Sequence, residues 1–156
     1  MNNLKILLIA SFFFLLNSCG FKVLNKDDSN SFEINNIEVN GDKRLASTLE
    51  NNIIIYSKNN SPNQYNLEIN IKSFKTSKIK NATGKTTRYS STLKANVKIY
   101  NLNNKQNIDK DFYNTQDFDV GTTHSETLNN EKIAINNSIN IISEDITKFI
   151  KLMDFK

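Results

Sequence analysis

Cys19 and His124 are each the only residue of their kind in a chain of 156 residues. A single thiol can form no intramolecular disulfide, and in an oxidising compartment an unused thiol is a liability. A single histidine cannot build a Cys/His metal site of structural zinc type. His124 stands in a loop beside Ser125 and Glu126. A Ser-His-acid triad draws its members from separate segments, and nothing here marks a nucleophile elbow. A structural or solvent-exposed His124 is the better reading. The four glycines are scattered, so no phosphate-cradling loop is present. Asp109, Asp111, Asp117 and Asp119 sit on and beside an expected strand. At two-residue spacing each pair faces one way, as an exposed polar face would. These patterns predict neither an enzyme nor a bound cofactor or metal.

Two features remain. The first is a run from Lys75 to Arg88 (KTSKIKNATGKTTR), with Lys75, Lys78, Lys80, Lys85 and Arg88 and no acid. It predicts either a solvated lysine-rich loop or a local positive surface for an anionic ligand such as a phosphorylated lipid. The second is the position of Cys19. One cation, Lys5, precedes an apolar run from Ile6 to Leu16, and Asn17-Ser18-Cys19-Gly20 follows. A charged start, a short apolar core and a small residue before the cut make a secretory signal. A spanning helix needs about 20 apolar residues, more than this run supplies.

The region around the cut resembles a lipobox, with Leu16 three before the cysteine, small Ser18 just before it and Gly20 just after. Asn17 departs from the small residue usual at its position. The resemblance implies a diacylglycerol on the Cys19 thiol and cleavage before Cys19. It further implies an acyl chain, such as palmitate, on the new amine. Gly20 is not the aspartate that retains many lipoproteins in the inner membrane, which implies the outer membrane, on its periplasmic side. Each buried CH₂ contributes ~0.8 kcal/mol, so two or three acyl chains hold firmly.

Residues 1–18 are therefore expected to be a signal peptide, 19–31 a tether and 32–156 one domain with one modest core. Without Lys5 the chain has 19 Lys+Arg against 16 Asp+Glu, a net +3. That mild excess is no nucleic-acid footprint. Asparagine makes up roughly one residue in six, which blurs its value as a turn signal.

Phe32–Asn40 predicts a strand whose apolar phase slips between Asn35 and Ile37, as a bulge or a double-sided strand would give. Asp42 predicts an N-cap for a helix over 43–56, with Ala46, Leu49, Ile53 and Tyr56 on one face. Strands are expected at 65–73, 87–102 and 108–118, the last two joined by a tight turn at Asn103-Asn104. A polar loop is expected at 79–87. Thr123 with Glu126 predicts a capping box. It opens a long helix with Leu128, Ile135, Ile139, Ile142, Ile146, Phe149 and Met153 along one stripe, and Ser143 on the opposite face. The order β-α-β-β-β-α predicts an α+β fold, two helices on one face of a four-stranded mixed sheet. The first two strands, if adjacent, would be parallel.

Cys19-Gly20-Phe21-Lys22-Val23-Leu24 resembles the start of mature chains in the lipopolysaccharide-assembly lipoprotein family, LptE, with Val23 where proline is common. Arg44 and Leu49 match the family's Arg-x-x-x-x-Leu spacing in its first helix. The resemblance spans nearly all of the mature chain. It implies two helices on a four-stranded sheet. It also implies partners: an LptD-like outer-membrane β-barrel that the domain plugs and helps to fold, lipopolysaccharide delivered to the outer leaflet, and the outer membrane itself through the lipid anchor. Nucleic acid is not among them. Family contacts to lipopolysaccharide involve basic residues near the loop after the second strand. Thr83-Gly84 and Tyr89 resemble that region with Thr and Gly exchanged, and its basic residue falls near Lys80. Lys78, Lys80, Lys85 and Arg88 are thus the candidate lipopolysaccharide contacts. A lipoprotein of another outer-membrane assembly or secretion machine is the alternative, and a lipid-anchored enzyme a more distant one.

Overall fold

The computed structural model describes residues 31–153. The expected signal peptide, Cys19 and most of the tether lie outside them. The first strand, β1 (Phe32–Gly41), is followed by helix α1 (Lys43–Ile54), then β2 (Asn63–Lys80), β3 (Thr86–Asn101), β4 (Asn107–Asp119) and helix α2 (His124–Met153). The sheet order is β1-β2-β3-β4, with β1 and β2 parallel and the other pairs antiparallel. This is the expected α+β arrangement.

Alternation builds the sheet's covered face. Tyr65, Leu67, Ile69 and Ile71 on β2 are buried, as are Leu93, Ala95, Val97 and Ile99 on β3 and Phe112 on β4. Of the two readings of the phase slip in the first strand, the bulge is the one observed, between Ile34 and Asn36. It returns Ile37 and Val39 to the covered side, where both pack against the core. Leu45, Ala46, Leu49 and Ile53 of α1 join Ile135, Ile139, Ile142, Ile146 and Ile150 of α2 in one cluster with these strands. Both helices therefore share one face of the sheet, and the other face is mostly polar, with Phe74, Tyr100 and Tyr113 exposed on it.

Both helix starts are capped. Asp42 accepts from the Arg44 and Leu45 amides at 3.0 and 3.2 Å, as expected of an N-cap. At α2 the Thr123 hydroxyl accepts from the Glu126 amide at 3.1 Å. The return half of the box is displaced by one residue. The Glu126 carboxylate receives the Thr122 amide and hydroxyl, at 2.7 and 2.9 Å, rather than the Thr123 amide. Those bonds hold the Glu126 carboxyl below its usual value.

Several expectations are corrected. Helix α1 ends at Ile54, so Tyr56 lies beyond it and is 41% exposed rather than buried. Strand β2 runs to Lys80 and not to Ser73, because pairing with β3 carries it past its last buried residue, Ile71. The loop between them shrinks to 81–85. The β3–β4 turn spans residues 102–106, wider than a tight turn at Asn103-Asn104, and its left-handed residue is Lys105 (φ 60°). Asn101 instead organises that turn, accepting from the Asn103 and Asn104 amides. Leu128 is half exposed, since the first turns of α2 extend past the core. Ser143 is buried beside Ile142, not on the outer face, and donates to the Ile139 carbonyl at 2.7 Å. The stripe is wider than the large residues alone mark, because Ser138, Ser143 and Thr147 complete it where α2 passes close to its neighbours.

Gly41 joins β1 to α1 at φ 124°. A Cβ there would stand 2.1 Å from the Ile71 carbonyl oxygen, so glycine alone fits this close crossing.

Candidate functional site

The basic run lies on the β2–β3 hairpin, which projects past the helix-covered core. All β2 residues from Lys72 to Lys80 are exposed. The ladder nonetheless continues to Lys80↔Thr86, with irregularities around Ile79. At the tip the Asn81 side chain accepts from the Thr83 amide, the Thr83 hydroxyl and the Lys85 amide at 3.1, 2.8 and 2.9 Å. Gly84 supplies the left-handed residue at φ 80°. Thr83 and Gly84 are thus the turn itself, and Tyr89 stands below it, stacked on Phe118 with ring centres 5.6 Å apart.

The expectation of an unneutralised positive surface is corrected. Lys78 pairs with Asp117, whose carboxyl it holds below the usual 3.8. Arg88 grips Asp119 through Nε at 2.6 Å and Nη2 at 3.3 Å. That fork lowers the Asp119 carboxyl and raises the guanidinium. Lys75 pairs with Glu131 of α2 at 2.8 Å, and its ammonium stands 5.5 Å from the centre of the Tyr89 ring. The acids come from β4 and α2, between 31 and 56 residues away along the chain. A reading confined to one stretch of sequence cannot see them.

Lys80 and Lys85 differ from the rest. They flank the tip, and among the described residues neither has an ion-pair partner. Of the four candidate contacts, Lys80 and Lys85 keep their charge available, while Lys78 and Arg88 must exchange a carboxylate for any other anion. Solvent screens such exposed pairs, so exchange is inexpensive.

Two open grooves flank the hairpin. One, about 340 Å³, runs from Lys85 and Tyr89 along Gly121 and Thr122 to His124. The other, about 490 Å³, sets Arg44, Lys75 and Lys132 around apolar Leu128 and Ile135, with Glu131 among them. His124 is exposed at the start of α2. Among the described residues no group of three or more His, Cys, Asp or Glu side chains could hold a metal ion. No described helix is long and apolar enough to cross a membrane.

No family model and no curated protein sequence matches this chain. Solved structures do share its architecture. Rare lipoprotein B from Shewanella oneidensis is similar at a TM-score of 0.59 and 11% identity, covering 78% of this chain and 97% of that one. A protein from Caulobacter crescentus CB15 is similar at 0.54 and 10%, covering 76% and 89%. At such identities the likeness establishes the fold.

Proposed function

We propose that this chain is an outer-membrane lipoprotein, anchored through Cys19, that plugs an LptD-like β-barrel, helps it to fold and assists insertion of lipopolysaccharide into the outer leaflet. The observation that carries the reading is a coincidence of fold and motif. The β-α-β-β-β-α architecture matches rare lipoprotein B over 78% of the chain. A lipobox-like Leu16-Asn17-Ser18-Cys19-Gly20 stands a short tether ahead of that fold.

The physical character of the domain supports a binding role. Its helix-free sheet face is mostly polar, with Lys94 on Asp111 at 2.6 Å and Lys98 on Glu68 at 3.1 Å among exposed Phe74, Tyr100 and Tyr113. Polar faces of this kind suit the wet interior of a large barrel, whose lumen is itself polar. At the far tip Lys80 and Lys85 offer cations for the phosphates of lipopolysaccharide, through charge-assisted hydrogen bonds. Lys78 and Arg88 join them once Asp117 and Asp119 are displaced.

Depleting the chain in its own cells tests the role. Both correctly assembled barrel and newly surface-exposed lipopolysaccharide should fall together. Unchanged levels of both after depletion would remove the reading.

A further inference from the structure

The end of the domain where the chain enters carries an apolar surface of its own. The Ser61 hydroxyl donates to the Ser31 carbonyl at 2.6 Å, and the Lys58 amide donates to the Phe32 carbonyl at 2.9 Å. The Ile34 amide donates to the Ser57 hydroxyl at 2.9 Å. The entry point therefore lies against the segment that follows α1. There α1 runs out into Ile54, Ile55 and Tyr56, which are 44%, 77% and 41% exposed. Helix α2 finishes at the same end. Its Lys151 ammonium stands 5.6 Å from the centre of the Tyr56 ring, and the next residue, Leu152, is 64% exposed. Scattered exposed apolar residues need no explanation, but a group at one end does.

We propose that this end, formed by Ile54, Ile55, Tyr56 and Leu152, rests on the lipid surface that holds Cys19, as a second membrane contact beside the anchor. The proposal depends on Cys19 being lipidated, and it concerns the anchored chain before a barrel closes around it. Eleven residues separate Cys19 from Ser31, a reach of about 40 Å at full extension. The tether confines the domain near the bilayer, and any tether short of full extension brings the Ser31 end to it first. Tethering also gives the patch an effective concentration on the order of millimolar, so a contact weak in free solution is occupied. The side chains suit the depth. Isoleucine enters the acyl boundary, tyrosine sits at headgroup level, and lysine meets anionic headgroups.

End-on seating has a consequence for the hairpin. Strand β2 starts beside the entry point and runs away from it for 18 residues, about 60 Å at strand rise. The tip with Lys80 and Lys85 is then held far from the inner leaflet, clear for a partner.

The test uses the mature lipidated protein with Ile55→Cys, labelled by an environment-sensitive thiol fluorophore. It is reconstituted in vesicles of phosphatidylethanolamine and phosphatidylglycerol. Tyr113→Cys, on the open sheet face and 73% exposed, is the reference. The label at position 55 should shift to the blue and lose most of its emission to a lipid-borne quencher. The label at position 113 should respond to aqueous iodide instead. Equal iodide quenching at both positions would overturn the proposal. So would a label at 55 shielded from both quenchers, which would mark a second copy of the chain as the occupant. Intact mass separates the two ways of failing. A second label, on Cys19, means that the anchor is absent, whereas a single label with an aqueous position 55 means that only the membrane contact is wrong.

Discussion

Replacing Ile142 by alanine should destabilise the domain by roughly 2–5 kcal/mol, the range for a truncated core aliphatic. Ile142 has no solvent exposure and lies in the cluster shared by both helices and the sheet. The change removes three carbons. At ~0.8 kcal/mol per buried CH₂ the transfer contribution is about 2.4 kcal/mol. The cavity left behind adds to it, because neither the sheet nor α1 can collapse fully onto α2. A domain of this size has a stability of roughly 6–18 kcal/mol, so the variant should stay folded in buffer. Urea unfolding should show a midpoint lower by on the order of 1–3 M with an unchanged slope. Two neighbours make the comparison sharp. Ser143→Ala removes a hydroxyl that donates within its own helix to Ile139, and should cost no more than ~1 kcal/mol. Asn136→Ala, on the exposed face of α2, should be neutral or slightly stabilising because alanine is the better helix former. Equal midpoint losses for Ile142→Ala and Asn136→Ala would refute the assigned face.

Three further outcomes follow from the site. In NMR titrations the Asp117 and Asp119 carboxyls should ionise below the ordinary 3.8, and Arg88→Ala should return Asp119 toward it. Because their folded values are depressed, what these pairs add to stability is present above the unfolded value and is lost as pH falls through the folded one. An Asp119 value unmoved by Arg88→Ala would break this link. Lys80→Glu with Lys85→Glu should reduce lipopolysaccharide binding without unfolding the domain, and the wild type should bind more weakly at moderate salt than at low salt. Titrations that give the two proteins the same affinity at both salts would remove the tip from the site. Intact mass of membrane-extracted protein should show a chain beginning at Cys19 with added acyl mass, and a free thiol or another N-terminus would contradict the anchor.

The core strands were the most legible part of the sequence, because Tyr65-Leu67-Ile69-Ile71 and Leu93-Ala95-Val97-Ile99 repeat with the period of two that a half-buried strand imposes. That rule fails where a strand leaves the core. Past Ile71 neither face of β2 is covered, so alternation stops while hydrogen bonding continues to Lys80. Helix α2 shows the converse limit. Small side chains fit where the helix approaches its neighbours closely, so buried Ser138 and Ser143 read as surface residues in sequence. The charge of the site was only half legible. Lys78, Lys80, Lys85 and Arg88 stand close together in the chain, but the acids that answer two of them arrive through β4. One partner was within reach of counting. Fifteen residues back from Asn103 and fifteen on from Asn104 place Arg88 opposite Asp119, which is the observed register.

Affinity purification of the tagged, lipidated chain from detergent-solubilised outer membranes decides whether a barrel is its partner. A large β-barrel protein should co-purify in a stable complex and stay bound when Lys80 and Lys85 are both changed to glutamate, since barrel contact is assigned to the domain's body and not to its tip. Recovery of the chain alone, or with a periplasmic or inner-membrane assembly in place of a barrel, would contradict the account.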